Sequence, residues 1–445
     1  MDFGYIDFFG IKCTYTQDKL DFYLISVDDS DEVNFWKFQG MENFIVPFKS
    51  DIYDCSYIYV EKVVVGYMNK ILLKAKYVSK QMPNDGVYMY TLVGDEIDEF
   101  FSPIDYFFNE KRNGSYIPSD LLYSSTTVST YTFMLETKVV QVSLEYGDAL
   151  SMGIRSDLKI HPRLNVKFDT TSDTLFIYKT LRVIINFMQF VRRQKHYNFR
   201  RIELYGNINN KMQHVGFLYE SIYDVRQIPH SHCDASFRLY GENISSLLQI
   251  IADEPSFPLA HLPIHDYESY DYNSQRFAAI FSAFEYECSC DKDMYEKNVN
   301  HDLYMDIKNK IIDYISELSI HNEFEQDFQN WAKERIGQLG SQLGQQRKIT
   351  NAYENLSKYF AHSIKQLIWQ SNSVKECANK LASVRGKILH NEMDKELTDD
   401  EIECIRFLDI LQFVMVLKRA GMSVQSVEFI IGEIYHCNTA YIESL

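Results

Sequence analysis

The chain has 445 residues, 46% of them hydrophobic and 15% aromatic, with a formal net charge of −17. That length predicts two or three domains with sizeable cores, and the composition excludes a disordered chain. The acidic balance excludes loose electrostatic binding to bulk nucleic acid, which needs positive surface, and leaves room for a restricted basic site only.

The start, Met1-Asp2-Phe3-Gly4, lacks the basic region of a signal peptide, and no run of about 18 apolar residues follows. A cytoplasmic protein without membrane contact is expected. Strand-like runs then recur near 4 to 16, 19 to 28, 56 to 68, 71 to 80, 87 to 94, 131 to 147 and 152 to 169. Their signal is alternation, as in Leu73-Lys74-Ala75-Lys76-Tyr77. Turn-prone pieces such as Pro83-Asn84-Asp85-Gly86 and Asn207-Ile208-Asn209-Asn210 separate them.

A helix near 174 to 193 comes next, with Ile177, Leu181, Ile184, Met188 and Val191 as its inner side. Between Leu175 and Ile202 lie seven basic residues and no acid; Arg192, Arg193, Lys195, Arg200 and Arg201 are the candidates for RNA contact. A solvated helix face explains the same charges. Strands near 200 to 206 and 212 to 220 and a helix near 242 to 252 complete this half, for which an antiparallel sandwich or open barrel fits best.

Pro255, Pro258 and Pro263 mark a boundary, giving a β-rich domain over 1–260 and an all-helical one over 270–445. The fold class is therefore α+β. In the second domain the apolar spacings predict core stripes: Phe277, Ile280, Phe281 and Phe284; Ile307, Ile311 and Leu318; Phe324, Phe328 and Trp331; Tyr353, Leu356, Phe360 and Leu367. Gly337, Gly340 and Gly344 read as an interhelical loop.

The eight cysteines form no paired C-x-x-C motif, so reduced thiols are expected. His230, His232 and Cys233 fit partial metal ligation and a surface loop equally. No metal or cofactor is expected.

The chemistry-bearing segment is Ala382-Ser383-Val384-Arg385-Gly386-Lys387-Ile388-Leu389-His390-Asn391. Arginine offers a permanently charged fork that fits a phosphate, and histidine exchanges protons near neutral pH. Upstream, Val374, Cys377, Leu381, Val384 and Ile388 keep the spacing of one helix face. Downstream, Thr398-Asp399-Asp400-Glu401 is a capping box opening a helix with Cys404, Leu408, Leu411 and Met415 as its stripe, closed by Lys418, Arg419 and Gly421.

Over roughly 270 to 436 this arrangement resembles the HEPN superfamily (higher eukaryotes and prokaryotes nucleotide-binding), in particular the ApeA-like HEPN domains of prokaryotic defence proteins. An Arg, four to six residues and a His are followed by a short acidic loop, here Asn391 to Leu397, and a long apolar helix. Arg276 to Glu285 is similar to the opening helix of such domains. The resemblance implies a metal-independent endoribonuclease of anti-phage, abortive-infection defence, cleaving tRNA or other structured RNA to a 2',3'-cyclic phosphate. It implies catalytic roles for Arg385 and His390, a homodimer through the HEPN domain, with dimer versus higher oligomer left open, and a phage-derived trigger read by the N-terminal half. Many active members carry Asn, Asp or His directly after the arginine, where this chain has Gly386; Lys387 and Asn391 are the supporting candidates.

On a regular helix Arg385 and His390 stand about 140° apart, so either the helix loosens at Gly386 or a second subunit completes the site. Two other readings stay open. One is a catalytically inactive HEPN module that binds RNA or a nucleotide, the other a protein-interaction adaptor.

Overall fold

The structure, a computed structural model, describes residues 2–27, 35–49, 53–66, 70–94, 97, 100–101, 126–149, 159–193, 199, 202–220, 237–262, 272–291, 301–338, 344–360, 373–389 and 397–435. The chain divides into two compact units, Met1–Pro258 with Leu262–Glu268, and Leu259–His261 with Ser269–Leu445. A β-rich unit precedes a helical one, so the class is α+β.

In the first unit, β1 (Asp2–Phe8), β2 (Ile11–Asp18), β3 (Asp21–Ser26), β4 (Glu42–Lys49), β5 (Ser56–Val65) and β6 (Lys70–Gln81) run antiparallel in the order β3-β2-β1-β4-β5-β6. Pairing of β3 with the first half of β6, Phe22 against Leu73, closes them into a barrel. Alternation drives this closure. Ile6, Phe8, Cys13, Tyr15, Phe22 and Leu24 point inward and are buried together, while the residues between them face out.

The second half of β6 leaves the barrel. It pairs with β12 (Lys211–Glu220), and the sheet continues through β11 (Ile202–Ile208), β7 (Val87–Leu92), β10 (Lys159–Thr171) and β9 (Lys138–Ala149) to β8 (Thr126–Leu135). At the departure Gly216 pairs with Gln81, and a Cβ there would stand 1.9 Å from the Lys80 carbonyl oxygen, so only glycine permits the approach.

Helix α1 (Thr174–Arg192) starts at Asp173, whose carboxylate accepts from the Leu175 and Phe176 amides, and ends at Arg193 in the left-handed conformation. It is buried nearly all round: Tyr178 stacks on Tyr77 of β6 at 4.1 Å, and Phe176 meets Phe168 of β10 edge-on. Among the described residues it is the helix long and apolar enough to cross a membrane, and 83% of that window is buried inside the protein. Helix α2 (Ile244–Asp253) lies along β8, the last strand, where Ser245 and Gln249 accept hydrogen bonds from the Thr132 and Met134 amides. Those bonds cover an edge that would otherwise offer unpaired donors.

In the second unit, α3 (Ser274–Cys290), α6 (Gln345–Leu356), α7 (Val374–Leu389), α8 (Asp399–Arg419) and α9 (Val424–Tyr435) form the packed bundle. Its centre is α8, buried on every side from Cys404 to Leu417. Phe277, Phe281, Phe284, Leu356 and Phe360 supply core as their spacing predicts, and Leu367 lies outside the described residues.

Helices α4 (His301–Glu317) and α5 (Glu323–Gln338) pack on one another as a hairpin. Here the sequence expectation fails: Ile307, Ile311, Leu318, Phe324, Phe328 and Trp331 are exposed. Their spacing is helical as predicted, but the less exposed positions lie on another face of each helix, that of Ile312 and Ile315 on α4 and of Gln329 and Ala332 on α5.

Candidate functional site

Arg385 lies in the last turns of α7, held there by Val384 and Ile388, both buried against the bundle. The helix runs unbroken through Gly386 to Leu389, so it does not loosen at the glycine. A Cβ at Gly386 would meet no atom within 4 Å, so the position faces open space.

The guanidinium of Arg385 donates from Nη2 to Glu285 Oε1 at 3.2 Å and lies over the Phe281 ring, 5.2 Å from its centroid. Both partners come from α3, one turn apart. Glu285 Oε1 also accepts from Gln345 Nε2 at 2.5 Å, which ties α6 to the same carboxylate. The Arg385 and Glu285 side chains are 34% and 36% exposed, so the pair sits at the surface with its apolar side on the core. A planar fork anchored by one nitrogen and backed by a ring keeps a fixed direction, and its outward donors can meet an anion.

Lys387 turns the other way. Its ammonium bonds Glu401 Oε1 at 3.2 Å, and Glu401 is also the acidic member of the α8 capping box with Thr398. Burial alone would raise the Glu401 carboxyl; the Thr398 amide and the Lys387 ammonium outweigh it and hold the group below the usual carboxylate range. Lys387 thus fastens α7 to the start of α8.

Behind this surface a chain of buried polar groups crosses the bundle. Arg419 donates to Glu287 Oε1 at 2.7 Å; the same oxygen stands 3.1 Å from His261 Nε2; His261 Nδ1 faces Gln412 Oε1 at 3.0 Å; Gln412 donates to Asp409 at 3.0 Å; and Asp409 meets Arg276 at 3.6 Å. Glu287, His261, Gln412 and Asp409 are almost fully buried. Each charge is compensated within the chain, as burial in a low-dielectric interior demands.

Nearby, the Cys377 and Cys404 thiols of α7 and α8 bond one another, which pulls Cys377 down and pushes Cys404 up. Neither is in a disulfide, nor are the described Cys13 and Cys55.

Of the residues singled out from sequence, Arg385 and Lys387 are placed on one helix with different partners. His390, Asn391, Lys195, Arg200, Arg201, His230, His232 and Cys233 lie outside the described residues. The basic island needs correction. Arg192 is only 4% exposed, so its charge belongs to the interior and not to an RNA-facing surface, and the solvated face of α1 is a narrow strip with Lys179 exposed and Arg182 half-buried. Arg193 is half-buried.

Sequence reasoning missed Glu285, Gln345 and the His261–Glu287 chain. Asp409 and Gln412 did leave a signal, as two polar residues inside the otherwise apolar run Phe407-Leu408-Asp409-Ile410-Leu411-Gln412-Phe413. Glu285 left none, because its partner is 100 residues away. Comparison with models of protein families, with curated proteins and with solved structures finds no match to this chain.

Proposed function

We propose that the helical unit is a HEPN-type, metal-independent endoribonuclease, with Arg385 as the phosphate-binding group and His390 as the proton carrier. One observation carries the reading: Arg385 is held at the surface by Glu285 and backed by Phe281, near the end of the helix that leads into His390.

In this mechanism the RNA 2'-hydroxyl attacks the adjacent phosphorus and the 5'-oxygen leaves. A 2',3'-cyclic phosphate remains. His390 takes or returns the proton, and Arg385 stabilises charge on the non-bridging oxygens. The outward donors of Arg385 suit a phosphate without displacing Glu285, which sets the direction of the fork.

The substrate class is structured RNA, tRNA foremost, since a chain of charge −17 selects for shape over bulk affinity. The cellular setting is anti-phage defence by abortive infection in the cytoplasm. The β-rich unit acts as sensor or restraint for a phage-derived trigger, and the chain works as a homodimer. Incubation with total RNA in EDTA, comparing wild type with Arg385→Ala and His390→Ala, tests the assignment. Fragments ending in cyclic phosphate from wild type alone support it.

One observation favours a second reading. Arg385 already has a carboxylate partner, as an arginine in a catalytically silent RNA-binding or adaptor module would have. Binding of RNA without cleavage, unchanged in His390→Ala, marks that case.

A further inference from the structure

The α4–α5 hairpin carries more apolar side chain than it uses. Its partly buried apolar positions are Met305, Ile312 and Ile315 of α4 and Ala332 and Ile336 of α5, and among its described side chains only Gln329 is buried. Gln329 donates to the Ile315 carbonyl at 2.5 Å, so even this buried contact is a polar one.

A second stripe runs along each helix. On α4 it is Ile307, Ile311 and Tyr314, continued by Leu318 just past its end, and on α5 it is Phe324, Phe328 and Trp331, with Arg335 next over the Trp331 ring. Both follow the 4-3-4 spacing of helices that pack in bundles. On each helix the stripe lies about 110° round from the packed face in the same rotational sense, at ~100° per residue, so in an antiparallel pair both stripes fall on one side of the hairpin.

That side is exposed: Phe324 is 80%, Tyr314 66%, Phe328 60% and Trp331 52% accessible. Large side chains offer ~150–250 Å² each when fully covered, so these seven expose on the order of 800 Å². A stable interface takes about 800 Å² from each partner, whereas an unpartnered surface rarely keeps an apolar patch of that size.

We propose that this face is an interface between two copies of the chain, in which two hairpins meet about a two-fold axis to form a four-helix bundle. Equal stripes at equal spacing on two antiparallel helices make the surface self-complementary, which an isologous contact requires. The charged residues beside the stripes stay at the solvated rim. This contact is independent of the nuclease assignment and does not involve Arg385.

The test is the solution mass of the full chain, 52.4 kDa per copy, by sedimentation equilibrium. Wild type is compared with an Ile311→Glu/Phe328→Glu variant, with Phe324→Asp as a milder second disruption, and with Arg385→Ala. All three replaced stripe residues are exposed, and circular dichroism checks that folding is retained. The expected result is that the stripe variants have half the mass of wild type, dimer to monomer or tetramer to dimer, while Arg385→Ala is unchanged. A wild type of one-copy mass, or equal masses for wild type and stripe variants, overturns the proposal. RNA cleavage is assayed separately, so an inactive dimer that the stripe variants halve keeps this interface and removes only the nuclease.

Discussion

Arg385 and Glu285, 100 residues apart in sequence, meet at 3.2 Å across α7 and α3 with Phe281 beneath the guanidinium. Contacts this exposed contribute at most about 1 kcal/mol to stability. The expected effect of breaking the pair is therefore functional. Glu285→Gln keeps a hydrogen-bonding group but removes the competing charge, and it should tighten RNA binding several-fold at low salt with a melting temperature close to wild type. Filter binding over a salt series checks this, and weaker binding would mean that Glu285 is needed to aim the fork.

Gly386 faces open space and lies inside a regular helix, so a side chain there meets no clash. Gly386→Ala should stabilise the helical unit by about 1 kcal/mol, the usual cost of glycine in a helix interior. Gly386→Asn restores the polar group that many HEPN proteins carry after the arginine, and it should raise cleavage without loss of stability. Thermal melting and initial rates on the same RNA read the two effects.

The barrel was legible where local pattern suffices. Ile6, Phe8, Cys13, Tyr15, Phe22 and Leu24 alternate inward as their spacing predicts. The run 4–16 nevertheless proves to be two strands, turned at Phe9 and Gly10 with φ of 54° and 85°, and 131–147 is broken at Glu136 and Thr137, both in left-handed conformation. Gly10 is a turn signal for the first hairpin, although Phe9 beside it is not; glutamate and threonine are not turn residues, so no local signal marks the second. Strand β4 was hidden by Pro47, and the β3–β6 closure depends on register between segments about 50 residues apart.

In the helical unit, spacing located the helices but not their partners. The stripe of α8 was read correctly at Cys404, Leu408, Leu411 and Met415, yet the helix is buried on all sides, and Asp409 and Gln412 serve a polar chain that single-sequence periodicity cannot show. Ile307 and Phe328 have the spacing of core and stand in solvent.

The buried chain through His261 and Glu287 should dominate the stability of the helical unit. Glu287→Ala leaves Arg419 and His261 without their shared carboxylate, and removing one partner of a buried ion pair costs about 3–5 kcal/mol. For a unit of this size that lowers the melting temperature by roughly 6–20 °C. Scanning calorimetry of the full chain should show this drop in one transition; a shift under a degree would contradict the network's structural role.

Acid should loosen the start of α8. The folded Glu401 carboxyl lies below its unfolded value, so its contribution is fully present above the unfolded value and fades as pH falls through the folded one. Glu401→Gln should cost about 1 kcal/mol near neutrality, through the capping box and Lys387, and should flatten this part of the acid profile. Denaturant melts from neutral pH down through the carboxylate range check the sign.

The central claim is that Arg385 and His390 cleave RNA without metal. Purified wild type, Arg385→Ala and His390→Ala are incubated with total cellular RNA in EDTA, with and without extract of phage-infected cells, and the fragment ends are analysed. The account predicts discrete fragments with 2',3'-cyclic phosphate ends from wild type and none from either variant. Intact RNA in every lane, or equal cleavage by all three proteins, would contradict it.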